Sequence, residues 1–88
     1  MLRANIHFIG TVQGVGFRYT CVSFAQNLSL TGWVKNLRDG SVEVVVEGPR
    51  EKTEELLSKL NVQFGTFIRD CRIEWLEYRG DFDNFSIR

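Results

Sequence analysis

The dipeptide Asp39-Gly40 does most to restrict the fold. It separates a short run, Trp33-Val34-Lys35-Asn36-Leu37, from a run in which Val42, Val44 and Val46 alternate with Ser41, Glu43, Val45 and Glu47. Asp and Gly tolerate the positive φ that a primed two-residue turn requires, so the two runs are expected to pair as an antiparallel hairpin. Alternation puts the three valines on one face of a sheet and the more polar set on the other, and the valine face then needs a cover.

A further strand opens the chain, where Leu2, Ala4, Ile6 and Phe8 alternate with Arg3, Asn5, His7 and Ile9. Cover comes from two segments with helical spacing. In the first, from about Phe17 to Leu30, Cys21, Val22, Ala25 and Leu28 recur on one face before Thr31-Gly32 ends it. The second begins after Gly48-Pro49, because proline at a first helical position loses no hydrogen bond. Glu51, Glu54 and Glu55 suit its positive N-terminal end, and Thr53, Leu56, Leu57 and Leu60 form its apolar stripe. Asn61 to Thr66 reads as a loop and Phe67 to Tyr78 as a long strand, with Cys71, Ile73 and Trp75 on one face. Arg79-Gly80-Asp81 turns the chain, and Phe85 and Ile87 supply a short final strand. The order is that of an α+β, ferredoxin-like split βαβ sandwich, an antiparallel sheet with two helices packed on one face. In this plan the first and second strands run parallel with the third between them, so their C-terminal ends share one sheet edge.

The chain of 88 residues is expected to be one complete domain, 1–88, with a small core. Lys plus Arg and Asp plus Glu number 11 each, so the basic imbalance of a nucleic-acid binder is absent. No run has the length of a membrane span or the plan of a signal peptide, and a cytoplasmic protein is expected. Cys21 and Cys71 lack Cys-x-x-Cys spacing and read as reduced core residues, and with one histidine a protein-only zinc site is not expected.

The chemistry concentrates at Gly10 to Arg18, between the first strand and the first helix. Gly14 and Gly16 can take positive φ freely, letting consecutive backbone N–H groups turn toward one oxyanion, and the helix start adds its unpaired N–H groups. Arg18 supplies a planar fork that matches two phosphate oxygens. Gln13, Gly14, Val15, Gly16, Phe17 and Arg18 are therefore the candidate phosphate-binding loop. It is neither a dinucleotide fingerprint, which would want glycine where Tyr19 stands, nor a P-loop, which would end in Gly-Lys and Ser or Thr. Asn36, near the end of the second strand, lies two inter-strand steps away, about 10 Å. No nucleophile with a paired base stands in the loop, and no carboxylate cluster stands beside it. What remains is direct attack by water on an already activated phosphoryl group such as a mixed carboxylic-phosphoric anhydride. Arg18 would hold the phosphate and Asn36 would orient the water, with a substrate oxygen taking the proton because an amide does not titrate.

Val12-Gln13-Gly14-Val15-Gly16-Phe17-Arg18, Gly32-Trp33-Val34-Lys35-Asn36 and Asp39-Gly40-Ser41-Val42-Glu43 together resemble the acylphosphatase family, as does the terminal Phe85-Ser86-Ile87-Arg88. The resemblance implies a hydrolase of acyl phosphates that uses no metal and no cofactor, with its substrate-binding arginine at Arg18 and its water-orienting asparagine at Asn36. Two departures stand out. Family members usually carry glycine where Ser29 stands, which bears on how the first helix ends. They also carry a proline-containing stretch where this chain has Gln63 to Asp70, expected to lie away from the catalytic edge.

His7 reads as a surface or sheet-face residue, and Trp33 and Trp75 as packing residues. Two other readings compete with the enzyme: a module that retains an acyl or carbamoyl phosphate or a phosphorylated regulator without turnover, and a sheet that stacks RNA on Phe8, Trp33 and Trp75. The favoured partner is a small-molecule acyl phosphate, with no nucleic acid, no membrane and a monomeric chain.

Overall fold

The valine alternation forms the centre of a five-stranded sheet. The structure, a computed structural model that describes residues 1–88, runs β1 (Leu2–Gly10), α1 (Phe17–Asn27), β2 (Thr31–Asn36), β3 (Val42–Gly48), α2 (Arg50–Phe64), β4 (Ile68–Glu77) and β5 (Phe85–Ile87). The strand order is β4-β1-β3-β2-β5. The first four strands pair antiparallel, as the split βαβ plan requires, while β5 adds to β2 in parallel, so the complete sheet is mixed.

Register fixes the two faces. Ala4, Ile6 and Phe8 stand opposite Val46, Val44 and Val42, and all are buried under the helices. Phe17, Cys21 and Ala25 come down from α1, and Thr53, Leu56, Leu60 and Phe64 from α2. Phe17 joins the layers, its ring 4.9 Å from Phe8 and 5.0 Å from Phe64. Each such fully buried side chain contributes about 1.5–3 kcal/mol relative to exposure, which is how a short chain holds a sheet this broad. No helix is long and apolar enough to cross a membrane.

Three sequence expectations are corrected. Residues 61–64 are helical rather than loop, because Phe64 continues the i, i+4 stripe of Leu56 and Leu60 and is buried against Phe17. Cys71 is exposed, not a core residue, because β4 is an edge strand whose helix-side face is only partly covered; Ile73 beside it is also exposed. The first helix stops at Asn27, short of Leu30. There the N–H of Leu30 donates to Ala25 O (2.9 Å) and that of Ser29 to Gln26 O (3.0 Å), a Schellman closure with Ser29 at φ 57°. Phe8 is buried, while Trp33 and Trp75 lie on opposite faces with Arg88 and Arg50 over their rings, so the three form no stacking platform for bases.

On the helix-free face Glu47 is almost fully buried. The connection from β4 to β5 passes over it, and the N–H groups of Arg79 and Gly80 donate to its carboxylate at 2.8 and 3.1 Å. Arg3 Nε adds a third bond at 3.0 Å and reaches Asp81 through Nη2 at 2.7 Å.

Candidate active site

The site is built where β1 ends. Gly10 pairs with Ile68 after a register shift, and the N–H of Thr11 donates to Phe67 O at 2.9 Å. The α2–β4 connection thus pins the start of the loop, which corrects the expectation that the Gln63 to Asp70 segment lies away from this edge. Val12 and Phe17 anchor the two ends of the loop, each 1% exposed. Between them Gly14 has φ 76° and Gly16 φ 82°. A Cβ at either would meet nothing within 4 Å, so it is the left-handed backbone, not crowding, that calls for glycine.

Gly16 is the N-cap of α1, and the first turn holds no acidic residue. None of the backbone N–H groups from Gln13 to Tyr19 donates to an acceptor in the chain. Arg18, half-buried in that first turn, makes no ion pair. This end of the molecule consequently offers unspent donors and one uncompensated positive charge, the environment that an oxyanion with several acceptor oxygens matches.

Asn36 ends β2 directly opposite Val42, which is itself opposite Phe8, so two strand spacings bring it to the loop. Its Oδ1 is buried and has no hydrogen-bond partner in the protein. A pocket of about 140 Å³ brings Gln13, Gly14, Gly16, Arg18, Tyr19 and Asn36 together with the buried Val12 and Phe17. Of the loop residues expected from sequence only Val15 does not line it; its side chain packs against the core instead.

Two contacts escaped sequence reasoning. The Gln13 side chain turns to the hairpin, where Nε2 donates to Leu37 O at 2.7 Å and Ser41 O at 3.0 Å, so it ties the loop to the segment that carries Asn36. That hairpin is braced from the helix-free face. Ser41 N donates to Asp39 Oδ1 at 2.9 Å, and Ser41 Oγ lies between Asp39 Oδ1 and His7 Nε2, 2.6 Å from the latter. The hydroxyl and amide of Ser41 hold the Asp39 carboxyl below the usual carboxylate range, which keeps the brace ionised. Asp39-Gly reads as a turn signal, but nothing local shows that the turn will be gripped from both sides.

Cys21, the thiol nearest to the loop in sequence, is fully buried, and that burial pushes its pKa up to about 12. It therefore offers no thiolate at neutral pH.

Known proteins resemble the chain in sequence and in fold. The acylphosphatase from Syntrophotalea carbinolica is 52% identical over 88 residues, spanning 99% of this chain and 96% of that protein. The crystal structure of acylphosphatase from Bacillus subtilis superposes with a TM-score of 0.89 at 32% identity, covering 100% of this chain and 99% of that one. The structure of T. kodakarensis HypF contains a similar unit (TM-score 0.84, 32% identity) that covers all of this chain but 12% of that protein. With the acylphosphatase family model matching residues 4–87, which hold both the loop and Asn36, the chain belongs to the acylphosphatase family.

Proposed function

We propose that the chain hydrolyses the carboxyl–phosphate bond of acyl phosphates, with Arg18 and the backbone amides of Gln13 to Arg18 holding the phosphoryl group and Asn36 orienting the attacking water. The observation that carries the residue roles is that Asn36, whose Oδ1 has no partner in the chain, lines one pocket with Arg18. A buried acceptor left unsatisfied costs about 1–3 kcal/mol, and a water that donates an O–H to Oδ1 removes that cost. Such a water keeps an oxygen lone pair free for phosphorus. As its oxygen bonds to phosphorus, the bond from phosphorus to the acyl oxygen breaks, and the leaving group departs as a carboxylate. The proton passes to a phosphoryl oxygen, because the amide of Asn36 cannot accept it. Arg18 and the amides compensate the charge on the phosphoryl oxygens. No metal or cofactor enters this scheme.

The same reading takes the chain as a monomer acting on a small-molecule substrate in the cytoplasm, without nucleic acid or membrane. Its two cysteines are unpaired, in keeping with a reducing compartment.

The test is hydrolysis of an aryl acyl phosphate at neutral pH with a chelator present. Arg18→Ala should lower kcat/KM by about 10³-fold and abolish inhibition by inorganic phosphate, whereas Asn36→Ala should lower kcat by about 10²–10³-fold and leave that inhibition in place. A folded parent without turnover, or an Asn36→Ala variant with parental kcat, would overturn the assignment.

A further inference from the structure

A second recess opens at the same end of the sheet, on the face without helices. His7 and Ile9 of β1 form its floor, Gly40 and Ser41 of the hairpin one wall, and Arg69 and Arg72 of β4 the other. Its volume of about 430 Å³ exceeds the 140 Å³ of the pocket that holds Arg18 and Asn36, and the two share no residue. Ligand sites of this size are usually lined by apolar side chains. Here Ile9 is the one apolar residue of the lining, so the recess suits a small hydrophilic ligand.

The two arginines reach one face through an irregularity in the strand. In regular alternation Arg69 and Arg72, three residues apart, would point to opposite faces. Ile9 pairs with Asp70 but Gly10 with Ile68, which leaves Arg69 as the extra residue of a register shift. Ile68 keeps its contact with the core, and Arg69 joins Arg72 at the recess. The shift is built in at Gly10, where a Cβ would collide with Phe67 O and Arg69 N. Bulges that re-aim a side chain in this way are over-represented next to active sites.

The charged donors of the lining are largely unspent. Arg69 makes no ion pair within the chain, and its guanidinium lies over no aromatic ring. Arg72 gives only its Nε, to the exposed Asp70 at 3.1 Å, a surface pair of the weak kind. One carboxylate stands in the lining, Asp39, and its Oδ1 already takes the N–H and the hydroxyl of Ser41. That hydroxyl has a single hydrogen, so His7 Nε2, 2.6 Å from Ser41 Oγ, is the donor in the remaining contact. His7, Ser41 and Asp39 are thus committed to one another, and the two guanidiniums are left to meet a ligand.

We infer that this recess is a second anion site, in which Arg69 and Arg72 take a small polyanion, a molecule with at least two phosphoryl or carboxylate groups. A guanidinium fork matches two oxygens of one such group, and two forks in a space of this size call for more than one group. The inference goes beyond the hydrolytic reaction and does not depend on it. The occupant would bridge the two segments to which the phosphate loop is tied, since Thr11 N–H bonds to Phe67 O and Gln13 Nε2 to Leu37 O and Ser41 O.

The test is calorimetric titration of the Arg18→Ala variant, whose phosphoryl pocket lacks its guanidinium, with inorganic diphosphate and separately with citrate, at low salt. One or both should bind with a stoichiometry of one. Arg69→Gln or Arg72→Gln, added to that variant, should each weaken binding about tenfold, the size of one lost charge-assisted hydrogen bond. Both arginines are exposed, so neither substitution threatens the fold. Lys52→Gln removes the same charge from an exposed position of α2 and should leave the affinity unchanged. Binding of diphosphate alone makes the ligand a phosphoryl compound, binding of citrate alone a polycarboxylate, and binding of both a site that reads charge. In the parent, the amide resonances of Gly10, Gly40 and Arg69 should move with the same ligand. Absence of binding by both ligands, resonance shifts confined to Gly14 and Gly16, or a loss of affinity in Lys52→Gln equal to that in Arg69→Gln overturns the inference.

Discussion

The two ends of β3 treat buried polar groups in opposite ways. At the Glu47 end a buried carboxylate receives two backbone N–H groups and a guanidinium, all supplied by the chain. At the Val42 end the facing residue, Asn36, keeps a buried amide oxygen without a partner, beside an arginine with no carboxylate and a run of amides with no acceptor. An unsatisfied buried group is destabilising, so a chain retains one where something outside the fold completes it. One end of the strand is closed by structure, and the other keeps its polar groups unspent. An orphaned atom is not sufficient by itself: Thr53 Oγ1 is also buried and unpartnered, but it lines no pocket. What distinguishes Asn36 is that it lines one pocket with Arg18 and with loop residues whose amides have no acceptor in the chain.

The largest effect that would sharpen this contrast belongs to Glu47. Glu47→Gln keeps the shape and removes the charge that Arg3 and the two amides address, and should cost about 3 kcal/mol of stability in urea unfolding while leaving kcat/KM of the folded protein unchanged. The pH dependence has a definite sign. Burial raises the pKa of Glu47, but the Arg79 amide and the Arg3 guanidinium more than offset it, so the carboxyl sits below the usual glutamate range. A carboxylate depressed in the folded state stabilises fully above its unfolded pKa, about 4.3, and that stability is lost as pH falls through the folded value. Acid titration of stability should therefore be steeper in the parent than in Glu47→Gln. A loss of catalysis in this variant would show that the two ends are not independent.

A smaller effect is expected where the open end is itself held in shape. Gln13 spends its amide on Leu37 O and Ser41 O, which ties the glycine loop to the hairpin beside Asn36. Gln13→Ala should lower kcat by about tenfold, since a misplacement of an ångström or less is felt in the rate, with inhibition by inorganic phosphate little changed. Combined with Asn36→Ala it should add almost nothing, because the tie acts through Asn36. Full additivity in that cycle would instead give the Gln13 side chain a contact with substrate.

These contrasts also mark what the sequence could convey. The hairpin at Asp39-Gly40, the alternation in β1 and β3 and the left-handed glycines of the loop are local and were legible from neighbouring residues, although the turn is longer than the two residues expected: Asn36 pairs with Val42, and of the two turn residues only Gly40, at φ 92°, is left-handed. The approach of Asn36 to Arg18 was legible at one remove, because the order of elements dictates which strand ends share an edge. Coverage was not. Alternation tells which residues share a face, but not what lies over it, so Glu47 read as a polar-face residue and is buried by the crossing of residues 79–81, while Cys71 read as core and is exposed on a partly covered edge strand. The ties from Gln13 to the hairpin and from Thr11 to Phe67 O join segments far apart in sequence, and the residue types at those positions do not announce them. Phe64 was misjudged for a different reason: the polar residues before it hid a stripe that continues by one more turn.

The smallest expected effect lies away from both ends of β3, at the close of α1. Ser29 is the one non-glycine residue with positive φ, 57°, in a Schellman motif whose hydrogen bonds to Gln26 O and from Leu30 to Ala25 O are otherwise complete. A left-handed conformation costs a residue with a Cβ about 1–2 kcal/mol, and glycine recovers most of it while giving back some of the gain through its freer unfolded chain. Ser29→Gly should therefore stabilise by about 1 kcal/mol, seen as a rise of about 4–8 °C in Tm for a domain of this size, with kcat/KM unchanged. Ser29→Ala is the control, since it keeps the Cβ and should give no such rise. If the two variants melt together, the strain is not at Ser29 and the helix end is held by its hydrogen bonds alone. If Ser29→Gly alters turnover, the far end of α1 moves its first turn, and Arg18 is less independent of the rest of the fold than the contrast along β3 requires.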